Sequence, residues 1–282
     1  MSVFGAIPPE FANEEFAAAV VLPVPYDETS TWLKGADRGP EAVIAASANM
    51  ELYDIETESE VYRRGIFTAA PIDEKRSPEA MVAAVRDRVD GFLQRGNFVL
   101  TLGGEPSVSS GAIEAHAARF PQMSVLQLDA HADLREEYEG SPFNHACVMA
   151  RAQEACPVVQ VGLRSMEAGE RPRMEPQNVF WAHEIVRRPD WVEAVIARLG
   201  PDCYVTIDLD VFDPAFMPST GTPEPGGLSW YDVTGLLREV CRHRRVVGAD
   251  VVELCPSDHN KAPDFLAAKL IYKLLSYRFA GR

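Results

Sequence analysis

The chain has 282 residues, of which 46% are hydrophobic and 24% charged, with 27 Lys+Arg against 42 Asp+Glu for a net charge of -15. That much apolar material builds a large core and excludes disordered and collagen-like classes. The acidic balance argues against nucleic acid, whose phosphates need a basic surface, and no stretch approaches the ~20 apolar residues of a membrane span.

The N-terminal MSVFGAIPPEFANEEFAAAV has neither a basic n-region nor a long apolar h-region, which points to a soluble cytoplasmic protein. Near-continuous apolar runs then recur: AAVVLPVP from Ala18, GIFTAA from Gly65, FVLTLGG from Phe98, SVLQLDA from Ser124, VVQVGLR from Val158, NVFWAHE from Asn178, YVTIDLD from Tyr204 and VVGADVVEL from Val246. Runs of this kind, rather than strict alternation, mark strands covered on both faces of a mostly parallel sheet. Helical spacing fills the segments from Pro78, Asp190 and Ser229. The first two of these end at Gly96 and Gly200, where C-caps are expected. Repeated βα alternation gives an α/β protein, either a sheet with helices on both faces or an eight-fold barrel, and periodicity does not decide between them. No repeat or linker marks a boundary, so residues 1–282 read as a single domain.

Five cysteines without a CxxC pair suit free thiols in a reducing compartment. The basic run Arg242, His243, Arg244 and Arg245 reads as a solvated helix end, and His116 and His259 read as solvated too. Trp32, Trp181, Trp191 and Trp230 read as packing residues, and Cys147 as a core residue.

Charged residues cluster where apolar runs stop: LGGEPS from Leu102, LDAHAD from Leu128, TIDLDVFDP from Thr206 and DVVEL from Asp250. Carboxylates at buried strand ends are costly to desolvate unless they are paired or coordinated, so several together suggest a shared partner. If the chain stays extended, alternation puts Asp129, His131 and Asp133 on one side, and Asp208 with Asp210 on one side. One imidazole and four carboxylates suit a divalent ion such as Mn²⁺ better than a thiolate-type zinc site.

With those motifs, the sequence resembles the ureohydrolase family of arginases, agmatinases and their relatives, most closely its agmatinase members. The resemblance rests on PVPYDETSTWLKGADRGPEAVIAAS, GGEPS, LDAHADLR, SPFNHACVMAR, IDLDVFDPAFMPSTGTPEPGG and DVVELCPSDH, and so spans nearly the whole chain. It implies a three-layer αβα fold with an eight-stranded parallel sheet rather than a barrel. It also implies hydrolysis of a guanidino compound by a metal-activated hydroxide, with agmatine and water giving putrescine and urea. One metal is then held by Asp129, His131, Asp208 and Asp210, and the other by Asp129, Asp133, Asp208 and a histidine of a GG(D/E)HS motif. Asp133 also orients the hydroxide, His145 shuttles protons to the leaving amine, and Glu253 binds the guanidinium. The partner is a small cationic guanidino substrate, and the family suggests a homotrimer or homohexamer.

The chain departs from the family pattern at Pro106, which stands where the motif has its histidine. Proline offers neither a side-chain donor nor a backbone N–H. One firm Mn²⁺ site and a second weak or absent one are therefore expected, with His183 the one histidine placed to substitute. The same departure leaves other readings open: another guanidino-acid hydrolase, a mononuclear deacetylase-like amide hydrolase using Asp129, His131 and Asp210, or a non-catalytic member.

Overall fold

A computed structural model describes residues 2–280. All eight apolar runs form strands: β1 Ala19–Val24, β2 Ile66–Thr68, β3 Phe98–Gly103, β4 Met123–Leu128, β5 Val158–Leu163, β6 Val179–Trp181, β7 Asp202–Asp208 and β8 Arg245–Val252. They make one sheet in the order β2-β1-β3-β8-β7-β4-β5-β6, with every pairing parallel. The sheet is open, with β2 and β6 at its edges, so the barrel is excluded and the three-layer αβα arrangement holds.

Among the described residues eight α-helices flank the strands, the last of them after β8: α1 Gly39–Ser47, α2 Pro78–Gln94, α3 Val108–Arg119, α4 Val148–Gln153, α5 Ala182–Ile185, α6 Trp191–Ile196, α7 Trp230–His243 and α8 Ala262–Phe279. Alternate strand residues feed two cores. Val205 and Ile207 of β7 pack with α1, α6, α7 and α8, whereas Tyr204 joins the core made by α2, α3 and α4. This double covering is why the runs read as continuously apolar. Among the described residues no helix is long and apolar enough to cross a membrane.

Local chemistry explains the helix ends. Ser77 caps α2 by accepting the Ala80 N–H, Pro78 occupies the first turn, and Gly96 closes the helix in the left-handed region at φ 84°. Gly200 does not act in this way. The helix α6 stops at Ile196, and the Arg244 guanidinium takes the carbonyls of Ile196 and Leu199 at 2.7 and 3.1 Å. Glycine is required at 200 for another reason: a Cβ there would lie 2.6 Å from the Gln122 carbonyl. Arg244 is thus a structural clamp and Arg245 pairs with Asp202, while Arg242 and His243 are exposed at the helix end, where both meet Glu239.

The segment after α1 is pinned to α8 by a partly buried ion cluster. Lys273 Nζ lies 2.9 Å from both Asp54 Oδ2 and Glu56 Oε1, and Tyr277 donates to Glu56 at 2.8 Å. Asp54 is 2% exposed, so Lys273→Met strands a buried carboxylate and is expected to destabilise the fold by about 3–5 kcal/mol in denaturant unfolding. Burial works to raise the Asp54 and Glu56 carboxyls, but Lys273 outweighs it and holds both below the ordinary range. Groups depressed in this way stabilise the fold fully above the unfolded carboxylate pKa of about 4 and lose that contribution as pH falls through the folded values. The difference between wild type and variant should therefore shrink in acid.

Candidate metal centre and guanidinium pocket

The four central strands, β3, β8, β7 and β4, deliver their carboxyl ends to one cavity of about 410 Å³, the place where open α/β sheets bind ligands. Its lining includes Pro106, His131, Asp133, Asp208, Asp210 and Glu253, with His145 on the loop before α4.

The metal-type residues converge, although not by strand alternation. The chain leaves β4 at Leu128 and turns, with Asp133 in the left-handed region at φ 52°, while β7 passes into a short 3-10 turn at Leu209–Val211. Turning lets carboxylates bond nearby amides. Asp129 Oδ1 accepts the His131 N–H at 2.6 Å, Asp208 Oδ1 the Asp210 N–H at 2.9 Å, and Asp210 Oδ1 the Ala130 N–H at 2.9 Å. His131 Nδ1 sits 2.8 Å from Asp210 Oδ2, and Gln127 donates to Asp129 Oδ2.

Ligand atoms of Asp129, His131 and Asp210 all lie within 4.8 Å of one another, a group able to hold a metal ion. Asp133 and Asp208 stand outside that group while lining the same cavity. Burial and then the neighbouring carboxylates, Asp129 beside Asp133 and Asp210 beside Asp208, push these two carboxyls well above the usual range. Burial, then Asp210, lifts Asp129 to about 6. Burial opposes a charged His131, but Asp210 and Asp129 outweigh it and raise the imidazole to about 12. Among the described residues no lysine or arginine pairs with these carboxylates, and a divalent cation is the partner that such a donor set fits.

Glu253 follows β8 with a positive φ of 74°. Its Oε1 accepts the Gly221 N–H at 3.1 Å, where a glycine is needed because a Cβ would lie 2.3 Å from that oxygen. Burial, then Asp210, holds its carboxyl well above the usual range. His145 is half-buried, which pushes its imidazole down to about 4, and the Tyr138 ring meets it edge-on with centroids 5.9 Å apart.

Several sequence expectations are corrected here. His116 is fully buried rather than solvated: it packs against Phe120 and Tyr204, bonds the Ala112 carbonyl, and fills space left by Gly248. His183 lies exposed on α5, beyond the edge strand β6, and does not line the cavity. Trp32 is 69% exposed and lines the cavity, unlike Trp191, which is buried as packing. Asp250 serves the core, where Tyr204 and Thr206 each donate to it at 2.7 Å. Cys147 is buried with its thiol pushed up to about 11, and His259 is exposed, both as the sequence suggests.

Glu105 and Thr29 were given no role by sequence reasoning. Glu105 is wholly buried, burial pushes its carboxyl up to about 7, and it binds Thr29 and Ser107. The available signal was a charged residue directly after an apolar strand in GGEPS.

The sequence profile described as the arginase family matches residues 17–276. The chain is 40% identical over 272 residues to the N(1)-aminopropylagmatine ureohydrolase of Synechocystis sp., covering 93% of this chain and 89% of that protein. It is 31% identical over 280 residues to the agmatinase of Bacillus subtilis, covering 97% and 95% respectively. The solved structure of proclavaminate amidino hydrolase from Streptomyces clavuligerus superposes with a TM-score of 0.89 at 26% identity, covering 100% of this chain and 98% of that one. Profile, sequence relatives, fold and site chemistry agree, and the chain belongs to the arginase family of ureohydrolases.

Proposed function

We propose that this chain works as a single-domain cytoplasmic hydrolase, assembled as a homo-oligomer, that releases urea from a cationic guanidino compound of the agmatine or aminopropylagmatine type. The observation that supports it most is the Asp129, His131 and Asp210 group beside Glu253 in one cavity. Asp129, His131, Asp208 and Asp210 would hold one Mn²⁺ firmly. Asp133, with Asp129 and Asp208, would hold a second weakly, because Pro106 supplies no nitrogen donor.

A guanidinium carbon is a poor electrophile, and a divalent ion held by these residues would make hydroxide available at neutral pH by lowering the pKa of water from 15.7 towards about 7. Glu253, oriented by the Gly221 amide, binds the guanidinium and fixes its carbon against the metal-side carboxylates. Asp133 orients the attacking oxygen, and His145, neutral at working pH, passes protons to the leaving amine.

One observation favours a second reading. Arg135 lines the cavity, stacks on Tyr138 at 4.4 Å and forms no ion pair among the described residues, a placement suited to a carboxylate tail. A panel of aminopropylagmatine, agmatine, arginine, guanidinobutyrate and acetylpolyamines separates these readings when run with Mn²⁺ and then Zn²⁺. Urea from the first two is the expected result; urea from guanidinobutyrate alone supports the Arg135 reading. Acetate release or silence throughout would overturn both. Chelation should lower urea release at least about a hundredfold, and Mn²⁺ should restore it.

A further inference from the structure

One wall of the cavity contains a buried hydrogen-bond chain that the proposed reaction leaves without a task. Glu105 Oε2 accepts the Ser107 N–H at 2.8 Å, and Oε1 accepts hydroxyl protons from Ser107 at 2.7 Å and Thr29 at 2.8 Å. Thr29 Oγ1 in turn accepts the His145 N–H at 3.0 Å and lies 3.3 Å from His145 Nδ1. Thr29 and Glu105 are both buried, so water does not substitute for these contacts.

A hydroxyl has one proton and two acceptor lone pairs. With the Thr29 proton on Glu105, the 3.3 Å contact closes as a hydrogen bond when His145 Nδ1 carries hydrogen, and the imidazole also meets the Thr29 backbone. A neutral imidazole protonated at Nδ1 has a bare Nε2. We propose that Glu105, acting through the Thr29 hydroxyl, is a positioning residue that holds His145 in its Nδ1–H tautomer and so presents Nε2 to the cavity as a proton acceptor. Nε2 then takes a proton from water and gives it to the departing nitrogen, and the imidazole returns to its starting form with no net proton gained. The consequence for rate rests on the hydrolytic reading above, whereas the tautomer itself does not.

Glu105→Gln tests the chain because it keeps the shape and reverses the polarity. The Ser107 N–H still demands an oxygen, so the amide NH₂ takes the other position and donates to Thr29. The Thr29 proton is then free to turn to His145 Nδ1, which moves the imidazole hydrogen to Nε2. Solid-state NMR of full-length protein labelled with ¹⁵N-histidine reads this directly. The chain has six histidines, and a His145→Asn sample identifies the signal. Spectra at about pH 8 with Mg²⁺, above the Glu105 value of about 7, should show Nδ1–H in the wild type and Nε2–H in Glu105→Gln.

Steady-state kinetics with Mn²⁺ should show kcat reduced about 10–100-fold in Glu105→Gln and Thr29→Val, with KM within about twofold and Thr29→Ser close to wild type. A wild-type Nε2–H signal, or the same tautomer in both proteins, overturns the proposal, as does loss of activity in Thr29→Ser equal to that in Thr29→Val. If the wild type releases no urea from any guanidino compound, the hydrolytic reading fails, and the NMR comparison still decides the tautomer.

Discussion

Asp210→Asn is expected to lower urea release about a thousandfold and to remove most of the bound Mn²⁺ after dialysis. The carboxylate has two committed oxygens: Oδ1 receives the Ala130 N–H, and Oδ2 faces His131 Nδ1 at 2.8 Å. An asparagine keeps its oxygen on the Ala130 amide, because a buried N–H left unpaired costs about 1–3 kcal/mol. The NH₂ then faces His131, so the imidazole loses its acceptor and the ion loses an anionic donor together. Loss of an outer partner alone costs ~10–100-fold in metal affinity, and a direct ligand costs more. Metal content by mass spectrometry and urea release under saturating Mn²⁺ check this together. Wild-type metal content in the variant would show that Asp210 is not a ligand.

The sheet was legible because burial on both faces removes polar residues from strands, so each strand from β1 to β8 left an apolar run. Open sheet and barrel share that signature, and only the family resemblance separated them. The carboxylates are legible by type and position, but their convergence is not. Alternation would align them only in an extended chain, whereas the chain turns at Asp133 and at Leu209–Val211, and the turns bring Asp129, His131 and Asp210 together. The burial of His116 is not legible because its ring packs on Tyr204 of β7 and over Gly248 of β8, partners far from α3 in the chain. The chain from Glu105 through Thr29 to His145 spans separations of 76 and 116 residues, so it exists only once β1 and β3 are neighbours.

Pro106→His should raise retained Mn²⁺ from about one to about two equivalents per chain and increase urea release roughly tenfold or more, because a second ion adds charge stabilisation at the reacting centre. The backbone tolerates the change. Proline donates no hydrogen bond that could be lost, and its carbonyl, which accepts the Ser109 N–H at 2.9 Å at the start of α3, is retained by any residue. An imidazole at this position enters the cavity lined by Asp133 and Asp208, the two carboxylates outside the Asp129, His131 and Asp210 group. Their carboxyls are pushed upward by burial and by like charge, and a nitrogen donor that helps retain a cation relieves both. Pro106→Ala removes the ring without adding a donor and separates relief of crowding from coordination: it should leave metal content and rate near wild type. Two firmly held equivalents in the wild-type protein would show instead that the three carboxylates hold the second ion without a nitrogen donor, and Pro106→His would then gain nothing.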